Sequence, residues 1–589
     1  MTLHPFRGAT PGLGNSRYRL ALAAALLIIA ATYLNTALFD FAYDDFGQIV
    51  FNNGIKSWGL ALQYFQSHVW AQTGGASLYY RPLFMLWLAA NYKLFGIHPL
   101  YWHAMAIAAH LLACLLFYGF AVRLTGDRWV AVVAVLLFGL HPVHVEDVAW
   151  ISGATGTLLA ALIFGSLLCY LKHRESGKSG IDQWMAASLV LAFLATMTKE
   201  TGAVFPALIG SYEWVFRRRE ESRKNALLRA ARAAMPYVLV SIGYMAVRAL
   251  ALHHLAPPHT KFGLVSVLLG WPKVLIFYAA HLLLPLHLSV FYNLIRVEHP
   301  GWSNFVLPLI LLSAGAAAAC YGSRRSRVFC FLSLWCVVLS VPLLNVTLLY
   351  GVENVHDRYL YLPSAALCII LASLLARLKE IGATRSVAAV LTVIAAGYAF
   401  VTVRESQYWI DDEALAQHGI AVSPGHPIAP QVLGNFYIRH GRVEEALPYL
   451  LDALQAQPDN VDTLASLGVC YSEMNALPLA VEYLAKAIAL SPLYPRTHML
   501  LGTARLQQNR LDEAEAEIRK AMELQRFSRG ALFVHYYLGN ILYAKGDRKG
   551  ALREYLLESS NDPAIDPAVV ISRARVEEIQ GQFRPQMPK

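Results

Sequence analysis

This sequence has few charged residues, and its cysteines show no recognisable spacing. Only 15% of its 589 residues are Asp, Glu, Lys or Arg, against 56% that are hydrophobic, which argues against a single soluble domain. The seven cysteines show no spacing typical of a zinc site or a disulfide framework, so we interpret them as small hydrophobic residues. Long apolar runs are absent after Arg404, which indicates a boundary there between a lipid-embedded part and a water-exposed part.

Before that boundary, the chain is a series of apolar runs of roughly 15–25 residues, enough to cross a hydrocarbon core about 30 Å thick. The net charge of +10 could indicate a nucleic-acid partner. However, the basic residues fill short loops between the runs, around 172–178, 217–232, 324–327 and 377–385. Short basic loops mark the cytoplasmic face. We therefore predict no nucleic-acid partner, a cytoplasmic N-terminus, 11–13 crossings and an outer location for everything after residue 404.

Three stretches need interpretation. Residues 20–38 are longer than the apolar part of a signal peptide and lack a cleavage site, so we predict a retained membrane helix. Residues 80–95 are apolar but lie between outer-side signals, which predicts a segment along the interface. Residues 262–292 either enter and return or break near Pro272 or Pro285. The alanine-rich composition and short loops favour a bacterial inner membrane, with the later part of the chain in the periplasm.

The part after residue 404 has a strict 34-residue period. Leu-Gly pairs recur at this spacing, as do alanines and prolines further along each period, namely Leu433/Gly434, Leu467/Gly468, Leu501/Gly502, Ala446/Ala480/Ala514, Ala453/Ala487/Ala521 and Pro458/Pro492. This is the pattern of tetratricopeptide repeats, which are paired helices. A fourth repeat is predicted at Leu538/Gly539 and a half-repeat helix at 405–422. Stacked repeats bind a protein or an extended peptide, and they also occur in scaffolds without enzymatic activity.

Two adjacent carboxylates, Asp44 and Asp45, follow the first apolar run. Carboxylates at a lipid interface are costly to desolvate, which favours a function. Either could be a general base that takes the proton of a hydroxyl acceptor, and the pair could hold a divalent cation such as Mg²⁺ or Mn²⁺. The alternative is a pair of solvated loop acids.

A second polar cluster, His141-Pro-Val-His144-Val-Glu146-Asp, lies at the outer end of a predicted helix. Its spacing is too cramped for a helical zinc site. We expect His141, His144 and Glu146 to position an acceptor, with a plain interfacial cap as the alternative.

Cations form a third group on the predicted outer face. Arg358 opens a membrane helix next to Asp357 and His356, and its planar fork suits a phosphate. Lys199-Glu200 lies at an outer turn, and Arg81 lies in Tyr-Tyr-Arg-Pro-Leu. The alternatives are an Arg358–Asp357 ion pair that fixes the loop and a structural Lys199–Glu200 pair. Acids, histidines and cations on one face together suggest a site for an anionic lipid and a hydroxyl-bearing acceptor.

Together these motifs resemble a known family. Tyr43-Asp-Asp, Tyr80-Arg-Pro-Leu, His141-Pro-Val-His-Val-Glu, Lys199-Glu200 and Asp357-Arg-Tyr-Leu-Tyr-Leu-Pro-Ser, followed by the repeats, are similar to the transmembrane and tetratricopeptide repeat-containing glycosyltransferases. The resemblance spans about residues 35–575. It implies an all-α, polytopic GT-C-type bundle followed by an α-solenoid, with a polyprenyl-phosphate sugar donor and inversion at the sugar.

The resemblance also implies roles for individual residues. Asp44 would be the base with Asp45 beside it, and Arg358, Lys199 and Arg81 would hold the lipid phosphate. The acceptor side would be lined by His141, His144 and Glu146, with Glu200, Asp357 and His356 as further polar residues of the site. The family usually has Glu-Arg where this chain has Asp357-Arg358, so the shorter acid would pair with the arginine differently.

The predicted domains are a transferase domain over 1–404, in which 39–99 form a first outer loop with interfacial helices, a repeat domain over 405–575 and a tail over 576–589. The partners would be the lipid-linked sugar, membrane lipid and an acceptor protein bound by the repeats. Two other hypotheses stay open. One is an O-antigen ligase or polymerase, although no late loop is long; the other is a membrane-anchored scaffold, whose outer-face polar residues would be dispersed.

Overall fold

The computed structural model describes residues 16–583 apart from 72–76, 179, 218–219, 253–263, 294–296, 345–354, 525–532 and 560–566. Parts of the predicted basic loop 217–232, of the segment 262–292 and of the C-terminal tail therefore lie outside the described residues. Every regular element in the described ranges is helical, which confirms the all-α prediction.

The chain divides into two compact units. The membrane unit comprises Met1–Ala42, Leu78–Trp87 and His98–Ala414, and the repeat unit comprises Tyr43–Ser77, Leu88–Ile97 and Leu415–Lys589. The division differs from the boundary at residue 404 that the sequence suggests, because most of the predicted first outer loop clusters with the repeats. That loop packs by contacts between residues far apart in the chain, which a hydropathy pattern does not record.

Within the described residues, nine helices are long and apolar enough to cross a membrane: Ser16–Leu38, Pro99–Thr125, Ile151–Ser176, Arg223–Leu252, Val265–Leu283, Trp302–Arg325, Arg327–Leu344, Asp357–Glu380 and Thr384–Trp409. A tenth span would be the pair Arg128–Gly139 and Pro142–Val148, which bends by 57°. These helices make the chain an integral membrane protein. With that tenth span, the prediction of 11–13 crossings needs one or both of the shorter helices Gln183–Thr198 and Phe205–Val215 to cross as well.

Local signals explain several of these boundaries. The carboxylate of Asp127 accepts hydrogen bonds from the first amides of Arg128–Gly139, and Asp182 does so for Gln183–Thr198. The helix Leu264–Leu283 runs unbroken through Pro272 and ends before Pro285, so of the two predicted break positions only the one near Pro285 is present. The helix Pro82–Phe95 has only 14 residues, too few for a crossing, and its location at the interface stays a prediction.

Among its described residues, the repeat unit has four helix pairs: Ile428–Arg439 with Val443–Ala456, Val461–Glu473 with Leu477–Leu490, Pro495–Gln507 with Leu511–Leu524, and Val534–Ala544 with Arg548–Ser559. The predicted repeats are therefore confirmed. The repeated glycines lie where the two helices of a pair touch: a Cβ at Gly468 would come within 2.8 Å of Leu484 Cδ2. The repeated alanines Ala446, Ala480 and Ala514 are fully buried at the same contacts.

Both ends of the solenoid differ from the prediction. The half-repeat helix predicted at 405–422 is shorter, Asp412–Val422, because the membrane helix Thr384–Ser406 continues past the predicted boundary. A further helix, Pro567–Phe583, crosses the predicted limit between repeats and tail at residue 575. The first outer loop forms three short turns within the repeat unit, Phe46–Val50, Asn53–Lys56 and Trp58–Phe65.

Candidate functional site

The His141–Asp147 motif lies at a sharp bend in the membrane unit. The helix Arg128–Gly139 ends just before it, and Pro142 starts a new turn at 57° to that helix. The ring of His141 accepts a hydrogen bond from the amide of Val143, which closes the bend. The next turn, Val145–Val148, carries Glu146 and Asp147, and both are buried.

Glu146 pairs with Arg358, which opens the helix region Asp357–Glu380. The guanidinium of Arg358 forms an ion pair with the Glu146 carboxylate, and the Arg358 backbone amide donates to the same carboxylate at 2.9 Å. The guanidinium also lies over the rings of Trp150 and Tyr359, at 5.4 and 5.5 Å from their centres. These contacts hold the Arg358 side chain firmly. Because 17% of that side chain is exposed, part of it stays accessible to a ligand.

Asp357 has partners of its own. Its carboxylate accepts hydrogen bonds from the Tyr292 hydroxyl at 2.6 Å and the Ser289 amide at 3.3 Å. The neighbouring His356 is buried, and its amide donates to the Tyr278 hydroxyl at 3.4 Å. The sequence suggested an Arg358–Asp357 ion pair as one interpretation; the contacts above instead direct Arg358 to Glu146 and Asp357 to the segment around Ser289.

Arg81 and Glu200 form a two-pronged ion pair. Nε and Nη2 of Arg81 lie 3.1 and 2.9 Å from Glu200 Oε2, and the guanidinium stacks over Tyr79 at 4.3 Å. A planar fork of this kind fixes both partners in orientation as well as distance. A structural Lys199–Glu200 pair was the alternative left open by the sequence, but the ion-pair partner of Glu200 in the structure is Arg81.

Lys199 is the third predicted cation, and it belongs to neither the Arg358–Glu146 nor the Arg81–Glu200 ion pair. It lies at the end of the helix Gln183–Thr198, only 4% exposed, and its amine is 5.6 Å from the centre of the Tyr359 ring. Within the described part of the chain it has no ion-pair or hydrogen-bond partner. Burial lowers the pKa of Lys199 to about 8, and the charges that act on it belong to Asp147, Arg81, Arg358 and Glu146. The structure thus brings three predicted phosphate-binding cations into one electrostatic cluster.

Asp147 also belongs to this cluster, although nothing in the motif distinguishes it from Glu146. It is fully buried, and neither carboxylate oxygen accepts a hydrogen bond from any described residue. Its side chain lies against Gly156, where a Cβ would be 2.6 Å from Asp147 Cγ. Two adjacent acids in the motif were the only signal available, and that signal does not show that the two take different partners.

The two histidines of the motif are enclosed by other side chains. His144 shares a hydrogen bond with the Ser364 hydroxyl at 2.8 Å, and its ring lies 4.2 Å from that of Tyr361. His141 contacts the Leu282 carbonyl at 3.1 Å. Both are 0% exposed, so these contacts join the bend to neighbouring helices. An acceptor-lining role for them stays a prediction.

Asp44 and Asp45 belong to the repeat unit. They follow Tyr43, whose positive φ of 56° turns the chain sharply. Asp44 is partly exposed, whereas Asp45 is 1% exposed and precedes the turn Phe46–Val50. In the same unit the ring of Phe46 lies under the guanidinium of Arg439, at 4.3 Å, on the first repeat. The more accessible of the two carboxylates is therefore Asp44.

A metal site can be tested only within the described residues. There, no group of three or more His, Cys, Asp or Glu side chains is placed to hold a metal ion. Asp44 and Asp45 could supply two of the oxygen ligands that Mg²⁺ or Mn²⁺ takes, with substrate and water supplying the others. We derive no step through a metal.

Comparisons with known proteins agree with the two-part organisation. A tetratricopeptide repeat family model matches residues 432–495 and 471–531. A Caenorhabditis elegans protein named protein O-mannosyl-transferase F38B6.6 is 26% identical over 473 residues, 77% of this chain and 64% of the relative. The human protein O-mannosyl-transferase TMTC1 is 26% identical over 506 residues, 76% of this chain and 56% of the relative.

The chain thus spans about three fifths of the length of these relatives. Among solved structures, the oligosaccharyltransferase of Archaeoglobus fulgidus aligns with 74% of this chain and 59% of its own, at 14% identity and a TM-score of 0.37. The sequence relatives carry the argument, since they are protein O-mannosyl-transferases that match both the membrane part and the repeats. The resemblance found in the sequence motifs is confirmed.

Proposed function

We propose that this chain is a membrane glycosyltransferase with a GT-C-type bundle that moves a sugar from a polyprenyl-phosphate donor to a hydroxyl of a protein serine or threonine. The observation that carries the proposal is the grouping of Arg81, Lys199 and Arg358, in which buried Lys199 has no partner among the described residues. A buried amine without a carboxylate partner is suited to an anionic ligand. Relatives named protein O-mannosyl-transferases support the same reaction class.

The proposed reaction needs one base and a set of cations. Asp44 takes the proton of the acceptor hydroxyl. At the same time, the oxygen of that hydroxyl bonds to the anomeric carbon on the face opposite the phosphate. The bond from that carbon to the phosphate oxygen breaks, and its electron pair leaves with the polyprenyl phosphate. The products are an inverted glycoside, polyprenyl phosphate and protonated Asp44. The leaving group is already a stable anion, so cations that stabilise its growing charge replace a general acid.

The cluster suggests a division of labour among the remaining residues. Arg358 and Lys199 hold the phosphate, with Arg81 as a helper, while Glu146 and Glu200 fix the two guanidinium groups through the ion pairs described above. Asp357 and His356 fix the segment that carries Arg358. His141 and His144 hold the bend that presents Glu146. A divalent cation at Asp44 and Asp45 is compatible with this reaction and is not required by it.

The repeats are proposed to bind the acceptor protein, since stacked helix pairs form a concave surface for extended peptides. Because the basic loops are assigned to the cytoplasmic side, the repeats and the reaction would lie on the periplasmic face of a bacterial inner membrane. The grouping of polar residues in the membrane unit favours an enzyme over a scaffold, which would leave these residues dispersed.

The deciding experiment is sugar transfer by purified protein from a panel of polyprenyl-phosphate sugars, with polyprenyl-diphosphate glycans included to detect ligase or polymerase activity. We expect transfer from a monophosphate donor to a peptide hydroxyl. Asp44→Asn should lower kcat by about 10²–10⁴-fold, the usual contribution of a general base, with donor binding retained. Glu380→Gln, an exposed acid at the end of a membrane-unit helix and outside the repeats, is the control and should act as wild type.

Equal rates for wild type and Asp44→Asn would overturn the base assignment. Transfer from diphosphate glycans alone would favour the ligase or polymerase hypothesis. A complete lack of transfer from the panel, with the protein folded, would favour the scaffold.

A further inference from the structure

The helix Arg223–Leu252 has the length and apolar content of a membrane span, but one of its faces is polar. Large apolar side chains such as Leu239 are exposed on its outer side. Ser241, Tyr244 and Arg248 follow each other at the spacing i, i+3, i+7 and therefore lie on one face. Tyr244 and Arg248 are buried in the membrane unit. Polar side chains are costly on such a helix, so a polar face calls for a function.

Two side chains of this face hold the segment that leads to Arg81. The Tyr244 hydroxyl donates to the Tyr80 carbonyl at 3.0 Å, and Nη2 of Arg248 donates to the Leu78 carbonyl at 3.0 Å. The Tyr80 ring is fully buried, with its centre 6.0 Å from that of Tyr244. Because Leu78 and Tyr80 lie outside any helix, their carbonyls depend on partners from other elements. The helix thus fixes the backbone immediately before Arg81.

Successive residues of this segment face opposite sides. Tyr80 packs against the helix, whereas Tyr79 is exposed and lies under the Arg81 guanidinium, 4.3 Å from its ring centre. Side chains alternate in this way along an extended chain. Hydrogen bonds to the carbonyls of Leu78 and Tyr80 therefore also set the direction in which the Arg81 side chain leaves the backbone.

The same helix face also reaches the partner of Arg81. Glu200 opens the turn Glu200–Val204, and the Ser241 hydroxyl donates to the Ala203 carbonyl in that turn at 3.2 Å. One helix face therefore contacts both segments that carry the two-pronged Arg81–Glu200 pair. Such a pair requires the correct angle between its partners as well as the correct distance.

The pair uses only part of the guanidinium of Arg81. Glu200 takes Nε and Nη2, and Nη1 has no hydrogen-bond or ion-pair partner among the described residues. Arginine carries five N–H donors in a fixed plane, so the group that binds Nε and Nη2 also determines where Nη1 points. The edge with Nη1 can donate to an anion while the pair stays closed.

We propose that Tyr244 and Arg248 are positioning residues for Arg81: by holding the Tyr80 and Leu78 carbonyls, they keep the Arg81–Glu200 pair closed and direct the remaining guanidinium edge at the phosphate of the donor. The donor part of this inference rests on the proposed function, whereas the positioning of Arg81 does not.

The positioning is tested by the reactivity of Arg81 in the full chain without donor. Phenylglyoxal modifies accessible guanidinium groups, and mass spectrometry of the Arg81 peptide gives the rate. Glu200→Gln removes the counter-charge and sets the upper end of the scale. Tyr244→Phe should raise the rate about two- to tenfold, the effect of one lost hydrogen bond on opening of the pair, and Arg248→Met should raise it at least as far. Wild-type rates in both variants would overturn the proposal.

Tyr237→Phe is the matched control on the same helix. The buried Tyr237 hydroxyl shares a hydrogen bond with the Ser188 hydroxyl at 2.6 Å, and Ser188 belongs to the helix Gln183–Thr198. This variant also loses one buried hydrogen bond of a phenol, so its thermal unfolding midpoint should fall as in Tyr244→Phe. Its Arg81 modification rate should stay at the wild-type value. An equal rise in Tyr237→Phe would assign the effect to general loosening and overturn the positioning role.

The donor part has a separate measurement, the dissociation constant of polyprenyl phosphate. Tyr244→Phe and Arg248→Met should raise this constant, whereas Tyr237→Phe should leave it unchanged. Faster Arg81 modification with unchanged polyprenyl-phosphate binding would overturn the donor role of Arg81 and leave its positioning by Tyr244 and Arg248 intact.

Discussion

Arg358 donates to the carboxylate of Glu146 twice, once from its backbone amide at 2.9 Å and once from its guanidinium. The two residues are 212 positions apart in the sequence. A single carboxylate therefore fixes both the start of the helix that Arg358 opens and the direction of its side chain.

Removing this charge should destabilise the protein. Glu146→Gln keeps an acceptor oxygen but leaves the guanidinium without its counter-charge. Breaking a buried pair in this way typically costs about 3–5 kcal/mol. We expect a lower thermal unfolding midpoint in detergent together with weaker binding of polyprenyl phosphate.

An exposed pair gives the contrast for that experiment. Arg442 and Glu445 form an ion pair on the surface of the first repeat, with side chains 42% and 54% exposed. Glu445→Gln should change stability by about 0–1 kcal/mol. Equal effects of the two substitutions would contradict the importance of the Arg358–Glu146 pair.

The stability of the repeats should fall as pH rises above neutrality. The hydrogen bond to Glu517 raises the pKa of His498 above its usual 6.5, and the bond to Glu554 does the same for His535. A histidine with a raised pKa in the folded state contributes its full stabilisation below the unfolded pKa and loses it as pH passes the folded pKa.

Thermal unfolding of the full chain at pH 6 and pH 8.5 checks this direction. The repeat transition should occur at a higher temperature at pH 6. In the double variant His498→Gln and His535→Gln, the difference between the two pH values should shrink. An unchanged difference would assign the pH dependence to other groups.

Overpacking the glycine contact within a repeat should loosen it. Gly468→Ala places a methyl group against Leu484, and extra atoms in a close-packed contact typically cost about 1–3 kcal/mol. Leu484→Ala alone should cost about 2–5 kcal/mol through the cavity it leaves. Because the two residues touch, the double variant should be less destabilised than the sum of the single variants, which thermal unfolding of all four proteins measures. Additive effects would contradict the contact.

Removal of the chain after Ala414, where the membrane unit ends, should separate donor binding from transfer to the acceptor. Binding of polyprenyl phosphate should persist, since Arg81, Lys199 and Arg358 all belong to the membrane unit. Transfer should be lost for every acceptor, because the loop with Asp44 loses its partners in the repeat unit. Retained transfer with altered acceptor choice would instead assign the repeats to acceptor selection alone.

The regular parts of the molecule were open to prediction from the sequence. The spacing of Gly434, Gly468 and Gly502 predicted the helix pairs, because only a small residue fits where two helices touch. Hydropathy likewise located the membrane helices. Both signals are local and periodic, so they are visible in a single sequence.

The ion pairs within the site could not be predicted from such local, periodic signals. An Arg358–Asp357 ion pair and a structural Lys199–Glu200 pair were the alternatives to phosphate binding, since a single sequence shows only neighbouring residues as partners. The contacts described above join Arg358 to Glu146, and Arg81 to Glu200 across 119 residues. Asp147 was overlooked for a related reason. Its carboxylate accepts no hydrogen bond from the described residues, and its side chain packs against Gly156. Neither property can be seen in the sequence of the motif.

The contact between Phe46 and Arg439 bears on how such proteins can be recombined. Residues 43–77 and 88–97 share a compact unit with the repeats, although the chain passes through most of the membrane helices before it reaches them. Exchange of the solenoid alone between two relatives would pair one protein's loop with another protein's repeats. A functional chimera would need both segments from the same parent, and lineages that trade repeats should be expected to inherit the loop with them.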